Sequence, residues 1–154
     1  MTNWNKYALV TGQGISAYSE LESFDMALID AGIGDYNLVR LSSILPPHVI
    51  NSKEIDLSKG QILHLAFASK STCSDEAISS AIAIALPEDL DSIGVIMENS
   101  GCQEKEIIEE NAIKMSIRAM EKRSITVKKV ISASIQAQGA EGLYTTTFAG
   151  ICVF

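Results

Sequence analysis

Apolar residues in this chain follow two periods, and the switches between them divide it into elements. Lys6–Thr11 reads as a short strand that Gly12 and Gly14 break. Leu21, Phe24, Leu28 and Ala31 then recur at helical spacing, with Ser19 or Ser23 placed to cap the first turn and Gly32 to close the last. Residues 36–41 resume an extended pattern. Gln61–Ser69 and Ala77–Leu86 are further strands; apolar residues fill nearly every position of the second, which predicts burial on both faces. Ile93–Met97 is another buried strand, with Glu98 at its end. Gln103–Arg123 is the clearest helix: Ile108, Ala112, Met115 and Ala119 form its inner stripe, Met120 extends it, and Glu104, Lys105, Glu109 and Lys122 face water. Thr126–Gln136 and Leu143–Val153 read as two antiparallel strands joined across Gly139 and Gly142. One early helix, one late helix and about six strands predict a layered α+β domain.

Composition narrows the function. The 154 residues, 47% of them hydrophobic, suffice for one domain with a proper core. A formal charge of -7 argues against a phosphate-binding surface and against nucleic acid as a partner. No charged-then-apolar leader opens the sequence, and the longest apolar stretch, around residues 77–86, is too short to span a bilayer. Cys73, Cys102 and Cys152 are an odd, widely spaced set, expected to be reduced thiols in a cytoplasmic protein. His48 and His64 stand sixteen residues apart without a third partner, so no metal site is expected. Gly12-Gln13-Gly14 and Gly32-Ile33-Gly34 lack the strand–GxGxxG–helix order of a dinucleotide site, and no nucleotide cofactor is expected.

The candidate chemistry lies at Ser42-Ser43. The pair ends an extended apolar run and precedes Pro46-Pro47, which forces a change of chain direction. Most serine pairs at corners are only corners. A corner that points the Ser43 hydroxyl at the Ser42 carbonyl can instead turn the amide into an ester; elimination then frees Ser42 as a carboxyl end, and hydrolysis of the residue left at 43 gives a pyruvoyl group and ammonia. Asn37 reads alone as a turn residue, Asp25 as an exposed or capping acid, and Glu98 as a strand-end carboxylate.

Phe24-Asp25 … Ala31-Gly32-Ile33-Gly34 … Asn37-Leu38 … Arg40 … Ser42-Ser43-Ile44 … Pro46-Pro47 resembles the self-processing site of the pyruvoyl-dependent arginine decarboxylases. Gly94-Val95-Ile96-Met97-Glu98 resembles the segment that carries the family's catalytic glutamate, and Ala77–Ala85 its central strand. The resemblance runs from about Leu9 to the end. It implies a single domain over 1–154, folded as a four-layer αββα sandwich and cut into 1–42 (β chain) and 43–154 (α chain). It further implies a homotrimer with active sites between subunits.

The resemblance also assigns roles. Ser43 becomes the pyruvoyl group, which serves as the electron sink for decarboxylation without pyridoxal phosphate or metal. Glu98 donates the proton to the former α-carbon, a role that partial burial in an apolar strand suits. Asn37 donates to the Ser42 carbonyl during processing. Asp25 binds the cationic end of the substrate, a geometry in which a carboxylate meets guanidinium bidentately. The expected reaction converts L-arginine to agmatine and carbon dioxide. Two alternatives stay open: a pyruvoyl-dependent histidine decarboxylase, and a non-cleaving oligomeric module of the same fold. The family's proline-to-tyrosine segment after the cut is replaced here by a stretch with His64 and Phe67, which leaves local packing and substrate preference open.

Overall fold

A computed structural model describes residues 4–154. The chain forms β1 (Lys6–Ser16), α1 (Glu20–Asp30), β2 (Asn37–Arg40), β3 (Ile44–Leu45), β4 (Ile50–Asn51), β5 (Ile62–Thr72), β6 (Ala77–Pro87), β7 (Gly94–Gly101), α2 (Lys105–Glu121), β8 (Val127–Gln138) and β9 (Tyr144–Val153). The strands make two sheets, one in the order β2-β5-β9-β1-β4 and one in the order β3-β7-β6-β8. Helix α1 packs on the first sheet and α2 on the second. Alternation along the strands sorts the side chains. Ala66, Ile82, Ile84, Ile96, Ala149 and Ile151, drawn from both sheets, form one core, while Leu63, Leu65, Phe148 and Cys152 pack with Ala27 and Leu28 of α1. The predicted α+β class is the one observed.

Several local expectations are corrected. Gly12 and Gly14 do not break the first strand, which pairs with β9 without interruption from Tyr7 to Ser16. They are glycines because α1 lies against them: a Cβ at Gly14 would meet the Ser23 carbonyl oxygen at 2.1 Å, and one at Gly12 the Ala27 oxygen at the same distance. Ser19 is the cap, accepting from the Glu22 amide. Leu21 is not on the inner face, being 75% exposed. Ser23 takes that place, its hydroxyl bonded to the Glu20 carbonyl (2.8 Å) and to Thr146 Oγ1 (2.6 Å), so burial leaves it satisfied. Gly32 closes the helix as expected. At φ 76° it lets its own amide reach the Ile29 carbonyl and the Ile33 amide reach Leu28.

In α2 the buried position is Ser116 rather than Met115; Ile108, Ala112, Ser116, Ala119 and Met120 form the inner stripe. The Ser116 hydroxyl returns to the Ile113 carbonyl at 2.8 Å. The last two strands are not partners. β8 pairs with β6 in one sheet, whereas β9 lies between β1 and β5 in the other, so the turn at Gly142 (φ 78°) carries the chain from sheet to sheet. β6 is buried along most of its length, as its composition predicts.

Candidate active site

The serine pair sits where the chain leaves one sheet for the other. β2 runs parallel to β5, and the Leu41 amide extends that pairing by donating to the Leu65 carbonyl at 2.8 Å. Two residues later the Ser43 carbonyl accepts from the Ile96 amide at 2.8 Å, and β3 pairs with β7 through Ile44↔Val95 and Leu45↔Gly94. The Ser42–Ser43 peptide bond is therefore strung between an anchor in the first sheet and an anchor in the second. Ser42 is exposed and Ser43 half-buried.

Glu98 does not end its strand. The apolar run stops there, but β7 stays paired with β6 from Ala85↔Val95 through Ser79↔Gly101. Alternation sets the carboxylate's direction: Val95 and Met97 join Ala119 and Met120 on the α2 side, whereas Ile96 enters the core between the sheets. Glu98, on the same face as Ile96, thus points toward the other sheet, where Arg40 at the end of β2 meets it. The guanidinium donates to Glu98 Oε1 at 2.5 Å and to the Phe67 carbonyl at 3.1 Å, with its carbon 4.5 Å from the Phe67 ring centroid. Phe67 in turn stacks on Phe148, and Phe24 of α1 completes that aromatic group. Arg40, Phe67, Ala68, Ser69, Glu98 and Ser100 line an open groove of about 320 Å³. Ser43 is tied to Ile96 of β7, two residues before Glu98 on the same strand.

Asn37 and Asp25 are not brought there within one chain. Asn37 opens β2; its side-chain Nδ2 donates to the Gly60 carbonyl at 2.6 Å, and about 13 Å of extended chain separates it from Leu41. Asp25 is exposed on α1 in a separate groove with Ile15, Tyr18, Glu22 and Met26. Sequence reasoning missed the parts played by Arg40 and Phe67. The signal available was position alone: a cation three residues before Ser43, and an aromatic in the segment that departs from the family pattern.

The remaining polar candidates are accounted for by packing. His48 faces Asp91 at 3.0 Å, and His64 lies edge-on to Trp4. Among the described residues no His, Cys, Asp and Glu side chains cluster in a metal-binding group, and no helix is long and apolar enough to cross a membrane. Cys152 is buried, and burial pushes its thiol up to about 12. Cys73 and Cys102 are exposed; the Glu76 carboxylate, accepting from the Cys102 thiol, raises that group too.

The serine pair thus joins the two sheets of an α+β domain. Comparison with known proteins identifies its family. Residues 6–154 match the family described as pyruvoyl-dependent arginine decarboxylase. A protein of that name from Methanococcus aeolicus is 36% identical over 129 residues, covering 83% of this chain and 78% of the relative. Another from Methanopyrus kandleri is 36% identical over 142 residues, covering 88% and 89%. A third, from Methanocaldococcus jannaschii, is 33% identical over 133 residues, covering 86% and 80%. The chain belongs to the pyruvoyl-dependent arginine decarboxylase family.

Proposed function

We propose that this protein cuts itself between Ser42 and Ser43 and then decarboxylates L-arginine to agmatine. The observation that carries the reading is the hydrogen bond of Ser43 to Ile96, two residues before Glu98 on β7. In self-cleavage, Ser43 Oγ bonds to the Ser42 carbonyl carbon, the C–N bond breaks, and the hydroxyl proton passes to the nitrogen. Loss of the Ser43 α-proton then expels Ser42 as a carboxylate, and one water replaces the nitrogen as ammonia. No oxidant is needed, and the only co-reactant is water.

Position 43 fits such a group: it is half-buried, its carbonyl is pinned by Ile96, and Arg40, three residues before it, lines a polar groove with Glu98. When formed, the pyruvoyl ketone supplies the electron sink that lets an α-amino acid lose carbon dioxide. The chain's own residues do the rest. Glu98 delivers the proton to the carbon that carbon dioxide leaves; its Oε1 accepts from Arg40, which leaves Oε2 to carry that proton. Phe67 keeps water from one side of the groove.

We further infer that the layers stack helix, sheet, sheet, helix, and that the working form is a homotrimer. Two features support association. Asp25 stands apart from Glu98 in a single chain, and Ile15, Tyr18 and Met26 around it are 58%, 85% and 47% exposed, an apolar rim that calls for cover. A neighbouring copy seated there would bring Asp25 to the substrate's guanidinium. Any donation by Asn37 to a Ser42 carbonyl would likewise cross between copies. The relatives above are named for arginine, which favours it over histidine. The exposed thiols suit a cytoplasmic enzyme.

Intact mass measurement tests the reading. Fragments 1–42 and 43–154 are expected, the second carrying a ketone in place of its amino end, with carbon dioxide released from arginine and not from histidine, lysine or ornithine. Ser43→Ala should leave one inactive chain; a cleaved Ser43→Ala protein would sink the mechanism.

A further inference from the structure

We propose that Arg40 is a positioning residue for the self-cleavage: its guanidinium clamps the chain before the scissile bond to the strand that already holds the chain after it. The inference rests on the self-processing reading above. β7 holds the segment at two points, the Ile96 amide on the Ser43 carbonyl and the Glu98 carboxylate on the Arg40 guanidinium. The contacts lie two residues apart along β7, one through its backbone edge and one through a side chain, and they hold the chain on either side of the Ser42–Ser43 bond. β2 is a short edge strand of four residues, and Ser42 itself is exposed, so backbone pairing alone gives Ser42 little restraint. The side chain of Arg40 supplies the restraint that the backbone lacks.

The residue type matters. A guanidinium is planar, so one face can rest on the Phe67 ring while edge N–H groups donate to Glu98 and to the Phe67 carbonyl. An ammonium on a flexible stem cannot satisfy all three at once. Although half the Arg40 side chain is exposed, 56% by area, its head is engaged with both sheets. Holding Ser42 and Ser43 relative to β7 keeps the hydroxyl oxygen within range of the carbonyl carbon, where a misplacement of about 1 Å costs on the order of a hundredfold in rate. Arg40 exchanges no proton in this role.

The test follows conversion of the full-length chain into 1–42 and 43–154 by denaturing electrophoresis, started by dilution from urea. Arg40→Met, which keeps an apolar stem over Phe67, should cleave roughly ten- to a hundredfold more slowly than the unmodified chain. Guanidinium ion at non-denaturing concentration should restore much of the rate. Arg40→Lys should fall between. Glu98→Ala should slow cleavage as Arg40→Met does, and the double variant should be no slower than either single one, since both remove the same clamp. Cleavage of Arg40→Met at the unmodified rate overturns the proposal. So does an additive double variant without guanidinium rescue, which would make Arg40 a contributor to stability only. If Arg40→Met fails to fold, full-rate cleavage by Arg40→Lys overturns it equally. An unmodified chain that never cleaves overturns the parent reading instead.

Discussion

Gly14→Ala is expected to destabilise the protein by prising α1 off its sheet. A Cβ at this position would lie 2.1 Å from the Ser23 carbonyl oxygen, 2.5 Å from the Ala27 nitrogen and 2.7 Å from the Met26 Cβ. None of these is the end of a flexible side chain, so the helix itself must retreat, by about 1 Å or more to reach ordinary van der Waals separation. Overpacking that shifts backbone costs about 1–3 kcal/mol. The same retreat stretches the buried hydroxyl chain Ser23–Thr146–Ser71, whose links are 2.6 and 2.7 Å, and a buried hydroxyl left without its partner costs about 1–3 kcal/mol. A total of about 2–6 kcal/mol is expected, or a fall in Tm of roughly 4–24 °C for a chain of this size. The clean assay is urea unfolding in the Ser43→Ala background, where the chain stays whole. A change below about 0.5 kcal/mol would refute the idea that glycine is required by the close approach of helix and strand.

Three further outcomes are expected. Glu98→Gln keeps an oxygen acceptor for Arg40, so cleavage should proceed while arginine turnover falls about a hundred- to ten-thousandfold; near-normal turnover by the processed variant would place the proton donor elsewhere. Asp25→Asn should raise the KM for arginine with processing intact, by roughly thirtyfold or more if a neighbouring copy buries the contact; loss of cleavage alone would make Asp25 structural. Iodoacetamide should label Cys73 and Cys102 but not Cys152 in the folded protein, with all three labelled in urea. Because Glu76 raises the Cys102 thiol, its labelling should accelerate as pH rises, which peptide mass mapping follows; rapid native labelling of Cys152 would contradict its burial.

What could be read from the sequence was whatever acts locally. A serine cap, found at Ser19 of the two candidates, the closure at Gly32 and a β6 buried along most of its length follow from propensity and period, and each stands as expected. Errors arose where a distant element decided. Gly12 and Gly14 look like breakers until α1 is laid on them, and Leu21 fits the helical stripe until the sheet leaves it uncovered. β8 and β9 look like a hairpin because nothing local reports which sheet a strand will join. Ser42-Ser43 was singled out through resemblance. Arg40 was not, because its part depends on β7, 58 residues downstream, placing Glu98 opposite it.

The crossing between sheets decides what a cut there does to the molecule. Fragment 1–42 would carry β1, which is matched residue by residue to β9 from Tyr7 to Ser16, and β2, which lies along β5. Severing the chain at 42–43 interrupts none of that lattice, because the bond cut belongs to neither sheet. Covalent continuity is then needed only for the first folding event. Afterwards each protomer would be a noncovalent pair of fragments whose halves, once denatured, must find one another again by diffusion. Refolding would become concentration-dependent where the initial folding was not, so maturation would trade an easily reversible fold for one that persists chiefly because it is slow to come apart.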